Sequence, residues 1–409
     1  MQFLKNSDPY VKFSIKHFEK LKLENSENEQ EQQRVVLQKL YASIKEADKK
    51  VSLFLKTDIS REITPIISAN AFNNVFLSGS KFFPDEIKED IKDNSTYKIE
   101  YNIIFLQMTL KIIFVTHDEE VEVNVYDEYI RNILVWLHIL KQYNTSKCTS
   151  RINIHIFLSP IKKVLPDKSL LSQSVLGCSN ANTAVTFACH DPGEILIFRK
   201  EEWFKVFIHE TFHSFGMDFS TLNSEKLKKN IKGLYPINST FEITETYTEM
   251  WAEIMNCVFK SFYSLKSDNL DLFITYVEFL LQIERIFSLY QCAKILKYMG
   301  LNYENLYKID DGSTVARDNL YKEKTNIFAY YILKAVLMND YIGFLTWCDN
   351  NNTAFIQFTK TEHNMDLFYK YIKMNYKTTG LITDLFTISK IKGNRILSKT
   401  MRMTATEIV

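Results

Sequence analysis

The 409-residue chain is 46% hydrophobic and 14% aromatic, enough apolar material for one large or two closely packed domains with a real core. Its formal net charge of +1 excludes an overall field that would recruit nucleic acid or an anionic membrane. Cys148, Cys178, Cys189, Cys257, Cys292 and Cys348 form no C-x-x-C pair and read as reduced, buried thiols of an intracellular protein.

The first residues form no apolar signal sequence, and the densest apolar runs, such as 133–140, are far shorter than a membrane span. An unsecreted, membrane-free protein is expected. A short helix is predicted over 11–23. Ser26 and Glu29 then offer a capping box for a long helix to about residue 55, with Val36, Leu40, Ile44, Ala47, Val51 and Phe54 at helical spacing. Packing across the body is the preferred reading of that helix over a partner-binding arm. Residues 60–90, with Pro65, Gly79 and Pro84, read as a connector.

From Tyr97 the period changes to two, predicting strands over 97–105 and 108–115, a helix over 127–142 and a strand over 151–159. His155 reads as a sheet histidine. Two more short strands, 182–188 and 194–199, flank the turn signal His190-Asp191-Pro192-Gly193. The first of these is the expected sheet edge.

The next helix carries His209-Glu210-Thr211-Phe212-His213, after Glu201 and Glu202 and before Gly216, a residue suited to a left-handed helix end. Histidines four apart share one helical face. Both imidazoles can therefore reach one tetrahedral ion, while Glu210, about 100° round the helix, stays off the metal and can polarise its water. With 8 His in the chain the string alone is a moderate signal, and its helical context strengthens it.

Residues 220–240 form a polar, lysine-rich link to a second helix in which Glu245, Glu249 and Glu253 make an acidic stripe. Met250, Trp251, Ile254 and Met255 make that helix largely apolar, so the stripe is expected to face something specific, with zinc the natural candidate. The remaining chain reads as helical: 270–299 capped by Asp268 and closed by Gly300, then 326–338 and 365–375. There is no internal repeat and no low-complexity tract.

H-E-x-x-H followed by Glu249-Met250-Trp251-Ala252-Glu253 resembles the gluzincins, zinc peptidases with a glutamate ligand on a second helix, and above all the E-x-x-A-E form of the anthrax lethal factor type. The lead-in Arg199-Lys200-Glu201-Glu202-Trp203-Phe204-Lys205 is similar to uncharacterised metallopeptidase-like proteins of large DNA viruses of eukaryotes. The resemblance covers about 182–256. It implies one zinc ion per chain on His209, His213 and Glu249, Glu210 as general base, and Glu253 orienting a ligand histidine.

Glu245 with Glu249 behind it is the rival assignment, at the same spacing, and Asp218 is a minor alternative as third ligand. Tyr330 and Tyr331 are the candidates for stabilising the oxyanion.

The expected architecture is α+β. A helical region spans 1–90. A zincin-like lobe with a mixed sheet and active-site helix spans 91–220, and a mainly helical lobe with the third ligand spans 221–409. The expected activity is hydrolysis of peptide bonds through a zinc-bound water activated by Glu210, on a polypeptide held as an extended strand. The alternative is a catalytically silent structural or interaction protein of the same fold, for instance in a virus particle.

Overall fold

The computed structural model describes residues 1–23, 26–57, 59–66, 72, 75–144, 148–167 and 175–408. The fold is α+β and divides into two compact units. The first comprises Met1–Gln38, Lys163–Ala181 and Leu222–Ile408, and the second comprises Lys39–Lys162 and Asn182–Thr221.

The second unit holds a six-stranded mixed sheet in the order β1-β2-β3-β4-β6-β5. Its strands are β1 (Ser60–Pro65), β2 (Tyr97–Phe105), β3 (Met108–Thr116), β4 (Arg151–Phe157), β5 (Ala184–Thr186) and β6 (Gly193–Ile197). β3, β4 and β6 run parallel, while β1, β2 and β5 pair antiparallel with their neighbours. The alternation from Tyr97 sets the β2–β3 hairpin, closed by Leu106 and Gln107, both at positive φ as a tight two-residue turn requires.

The 60–90 stretch is more than a connector. It contributes β1, a 3-10 turn at Phe76–Gly79 and the start of helix Asp85–Asn94. Residues 67–71 and 73–74 of it lie outside those described.

One sheet face carries Phe114, which packs edge-on against Trp203 at 6.1 Å between ring centroids. The other buries Ile113, Val115, Phe157 and Leu196 against Leu77, Phe83, Ile87 and Ile91. His155 lies in β4 at 4% exposure, the sheet histidine expected, and burial lowers its pKa to about 4. β5 ends the strand order, so the predicted edge is an edge.

The first unit is helical, built on Thr244–Tyr263 and Leu270–Met299. Asn269, not Asp268, caps the latter, accepting from the Leu272 N–H at 2.9 Å, and Gly300 closes it at φ 82. The 220–240 link contains helix Glu225–Leu234, which buries Leu227, Ile231 and Leu234. Residues Phe328–Leu333, expected as ordinary α-helix, form a π-helical segment.

The long helix Glu27–Phe54 starts at the predicted capping box: the Ser26 N–H donates to Glu29 Oε2 at 2.8 Å and the Glu29 N–H to Ser26 Oγ at 3.3 Å. No helix among the described residues is long and apolar enough to cross a membrane.

Not all six cysteines are reduced, buried thiols. Cys148 and Cys189, 41 residues apart, are joined by a disulfide, and Cys178 is only half-buried. Cys257, Cys292 and Cys348 are buried free thiols, as expected.

Candidate metal centre

The histidine helix spans Trp203–Ser214, and every residue in it is buried. It has no solvent face: Lys205, His209, Glu210 and His213 are buried along with its apolar residues. It packs beside β5 and β6, and Glu202, at its N-cap position, has φ 62 and makes no side-chain cap. Its end is a two-bond reversal: the Gly216 N–H donates to the His213 carbonyl at 3.1 Å and the Met217 N–H to the Phe212 carbonyl at 2.8 Å. Gly216 sits at φ 61, the left-handed conformation foreseen for it.

Polar anchors hold this helix in its apolar bed. Trp136 Nε1 donates to Thr211 Oγ1 at 2.7 Å, and Thr186 on the edge strand bonds Ser214 Oγ at 2.8 Å. Each such buried bond contributes about 1 kcal/mol net, and a buried donor left without its acceptor costs more.

His209 and His213 lie together as the spacing requires, at 6% and 8% exposure. Their Nε2 atoms are 3.3 Å apart. Two nitrogens on one tetrahedral zinc, each about 2.05 Å from the ion, stand about 3.4 Å apart. The pair is therefore spaced for a shared ion.

The other nitrogen of His213, Nδ1, hydrogen-bonds the carboxylate of Asp218. With Nδ1 donating, the lone pair belongs to Nε2, the tautomer a metal ligand needs. Asp218 is fully buried, and its second oxygen accepts the Ser220 N–H at 3.0 Å and the Ser220 hydroxyl at 2.7 Å. Burial pushes the Asp218 carboxyl up, but the His213 imidazole and the Ser220 donors outweigh it and hold it below the usual range. Asp218, the minor alternative as third ligand, thus bonds the Nδ1 of His213. Glu210, between the two histidines in sequence, is 7% exposed.

In the first unit, helix Thr244–Tyr263 carries the acidic stripe, and its three glutamates differ in surroundings. Glu245 is half-buried and accepts the Tyr330 hydroxyl at 3.1 Å. Glu249 is 1% exposed. Glu253 is fully buried and paired with Lys334, whose Nζ lies 3.0 Å away and also donates to Ser288 Oγ and the Met403 carbonyl, both at 2.8 Å.

The two tyrosine candidates separate in the same way. The Tyr331 hydroxyl donates to the Met401 carbonyl at 2.6 Å, a packing role, whereas Tyr330 reaches Glu245. Tyr330 belongs to the π-helical segment, a distortion that often accompanies functional sites.

No family model matches the chain, and no solved structure matches it. An uncharacterised protein of Acanthamoeba polyphaga mimivirus is 26% identical over 206 residues. The match spans 49% of this chain and 49% of the relative, so the chain is aligned to about half the length of the curated relative.

Proposed function

We propose that the protein is a zinc-dependent peptidase, similar to the gluzincins, with a zincin-like lobe around the histidine helix. In this reading His209, His213 and Glu245 hold the ion and Glu210 is the base. The observation that carries it is that the Nε2 atoms of His209 and His213, one turn apart on a buried helix, stand 3.3 Å from each other. Glu245 is taken as third ligand over Glu249, the residue the family pattern implies one turn on, because its carboxylate accepts the hydroxyl of Tyr330 from the π-helical segment.

When bound there, zinc supplies Lewis acidity, lowering the pKa of water and polarising a carbonyl. The chain's own groups do the rest. Asp218 fixes the His213 tautomer, and the Tyr330 hydroxyl steadies Glu245. The Glu210 carboxylate takes a proton from the attacking water and passes it to the leaving amine. The buried walls of the histidine helix keep bulk water from competing.

An extended polypeptide is the substrate this reading favours. β5 is an edge strand in the same unit as the histidines and packs beside their helix, so its outer hydrogen-bonding groups suit pairing with an added strand. The viral source of the relative fits action in an infected cell or a virus particle.

The test is metal content together with a proteome-wide cleavage profile of wild type against Glu210→Gln. Wild type should carry one zinc and cleave, and Glu210→Gln should keep the zinc yet lose activity by several orders of magnitude. Equal cleavage by both refutes the role of Glu210. Zinc without cleavage in wild type favours the catalytically silent structural protein.

A further inference from the structure

The disulfide lies against the metal-ligand end of the histidine helix. The Cys189 N–H donates to the carbonyl of His213 at 3.0 Å. Thr149, next to Cys148, donates through Oγ1 to the Ser214 carbonyl at 2.8 Å and lies 3.1 Å from the His190 carbonyl. The last turn of the helix, whose carbonyls have no partners within the helix, is thus held by two segments that the disulfide ties together.

Those segments are also laced to each other. The Asp191 carboxylate accepts the Ser150 N–H at 3.2 Å and the Arg151 N–H at 3.0 Å. Gly193 leaves no room for change, since a Cβ there would stand 2.9 Å from Thr149 Cγ2. Cys189 itself has φ 47, a conformation an L-residue holds only when its surroundings enforce it.

Resting on the metal-centre reading above, we propose that the Cys148–Cys189 disulfide is a positioning element for His213, so that zinc affinity depends on its redox state. His213 is held from two sides: its ring by Asp218, and its backbone by the Cys189 N–H. Freed from Cys148, the 189–193 turn can move away from the helix end and take that donor with it. The His213 carbonyl then keeps the Gly216 N–H but loses its bond from outside the helix, and with it one restraint on the Nε2 spacing that suits zinc.

Both cysteines are half-buried, between the exposed Ala188 and His190 on one segment and the exposed Ser150 on the other, so a small dithiol can reach the bond. One thiolate of the dithiol attacks a protein sulfur and releases the other cysteine as a thiolate, which takes up a proton. The second thiolate of the dithiol then displaces the first cysteine. The protein gains two electrons and two protons, and the reagent leaves as a cyclic disulfide.

The experiment compares zinc affinity, by chelator competition, of the oxidised full-length protein, the protein reduced with a dithiol and freed of it without air, and a Cys148→Ser, Cys189→Ser variant. The expected result is a 10- to 100-fold weaker affinity in the last two, the range seen when a ligand loses an outer partner. Far-UV circular dichroism should be unchanged. The serine variant controls for zinc captured by the freed thiols, and Thr149→Val should copy part of the effect with the disulfide intact.

A purely structural disulfide would lower the melting temperature and leave the zinc affinity of the folded protein unchanged, which overturns the proposal. If the variant fails to fold, the reduced wild type decides the same question. If the oxidised protein binds no zinc at all, the metal-centre reading itself fails.

Discussion

Replacing Asp218 with Asn tests whether the histidine pair is prepared for metal. The substitution keeps shape and volume, so it changes hydrogen-bond direction and charge alone. One carboxylate oxygen of Asp218 accepts from His213 Nδ1, and the other accepts both donors of Ser220. An amide can present its oxygen to only one of these sites. If the oxygen faces His213, the amide NH2 meets the Ser220 N–H, two donors face to face in a fully buried place. If it faces Ser220, the NH2 donates to His213 Nδ1, which forces the imidazole proton onto Nε2 and blocks the ligand atom.

The first orientation leaves buried donors without acceptors, at about 1–3 kcal/mol. The second removes the His213 tautomer that binds metal. Loss of the orienting carboxylate by itself weakens zinc about 10- to 100-fold. Asp218→Asn should therefore sit at the upper end, at about 100-fold or near 3 kcal/mol, with unchanged circular dichroism. Competition with a chelating dye measures it. An affinity within threefold of wild type would refute the claim that Asp218 sets the His213 tautomer.

Glu245→Ala should lower zinc affinity by more than 100-fold and Glu249→Ala by much less. The reverse order would shift the third ligand one turn along the helix. Tyr330→Phe should weaken zinc about 10-fold by removing the hydroxyl on Glu245, whereas Tyr331→Phe should leave zinc unchanged and cost about 1 kcal/mol of stability. His155, lowered from 6.5 to about 4 by burial, is neutral when folded, and the unfolded chain binds its proton first. Stability is then full above about pH 6.5 and falls as the pH drops toward 4, by roughly 2 kcal/mol at pH 5. Urea unfolding of wild type and His155→Leu at pH 7.5 and 5 checks this, and an equal pH dependence in the two would refute it.

Local patterns carried much of this structure. Alternation from Tyr97 marked β2 and β3, and Gly216 and Gly300 marked helix ends because no other residue takes a left-handed turn so readily. The histidine pair was legible because four residues make one helical turn. Helix Glu225–Leu234 carried its signal in Leu227, Ile231 and Leu234, but its lysines and Gly233 read as a polar link.

The disulfide was not legible. Its cysteines are 41 residues apart, and the sheet brings them together with no spacing signature. The contact of Asp218 with His213 was hidden for a related reason. The chain reverses at Gly216 and lays Asp218 back along the last helical turn, so a residue that read as a minor alternative for the third ligand reaches the far nitrogen of His213.

The acidic stripe shows where periodicity stops informing and partners begin. Residues 245, 249 and 253 share a helical phase, so spacing ranks them equally. Glu253 lies beside the ammonium of Lys334 in a fully buried pair, and its charge is already balanced there. Removing Lys334 alone would leave an uncompensated buried carboxylate, a far larger penalty than the pair's net worth, so the two hold each other in place. A cation gains little from a carboxylate in that state. Glu245 has a neutral hydroxyl, that of Tyr330, on one oxygen, and it is only half-buried. A tyrosine hydroxyl orients a carboxylate without neutralising it. Between these two members of the stripe, the chemistry of the partner favours Glu245 as the ligand and gives Glu253 to the packing of its helix.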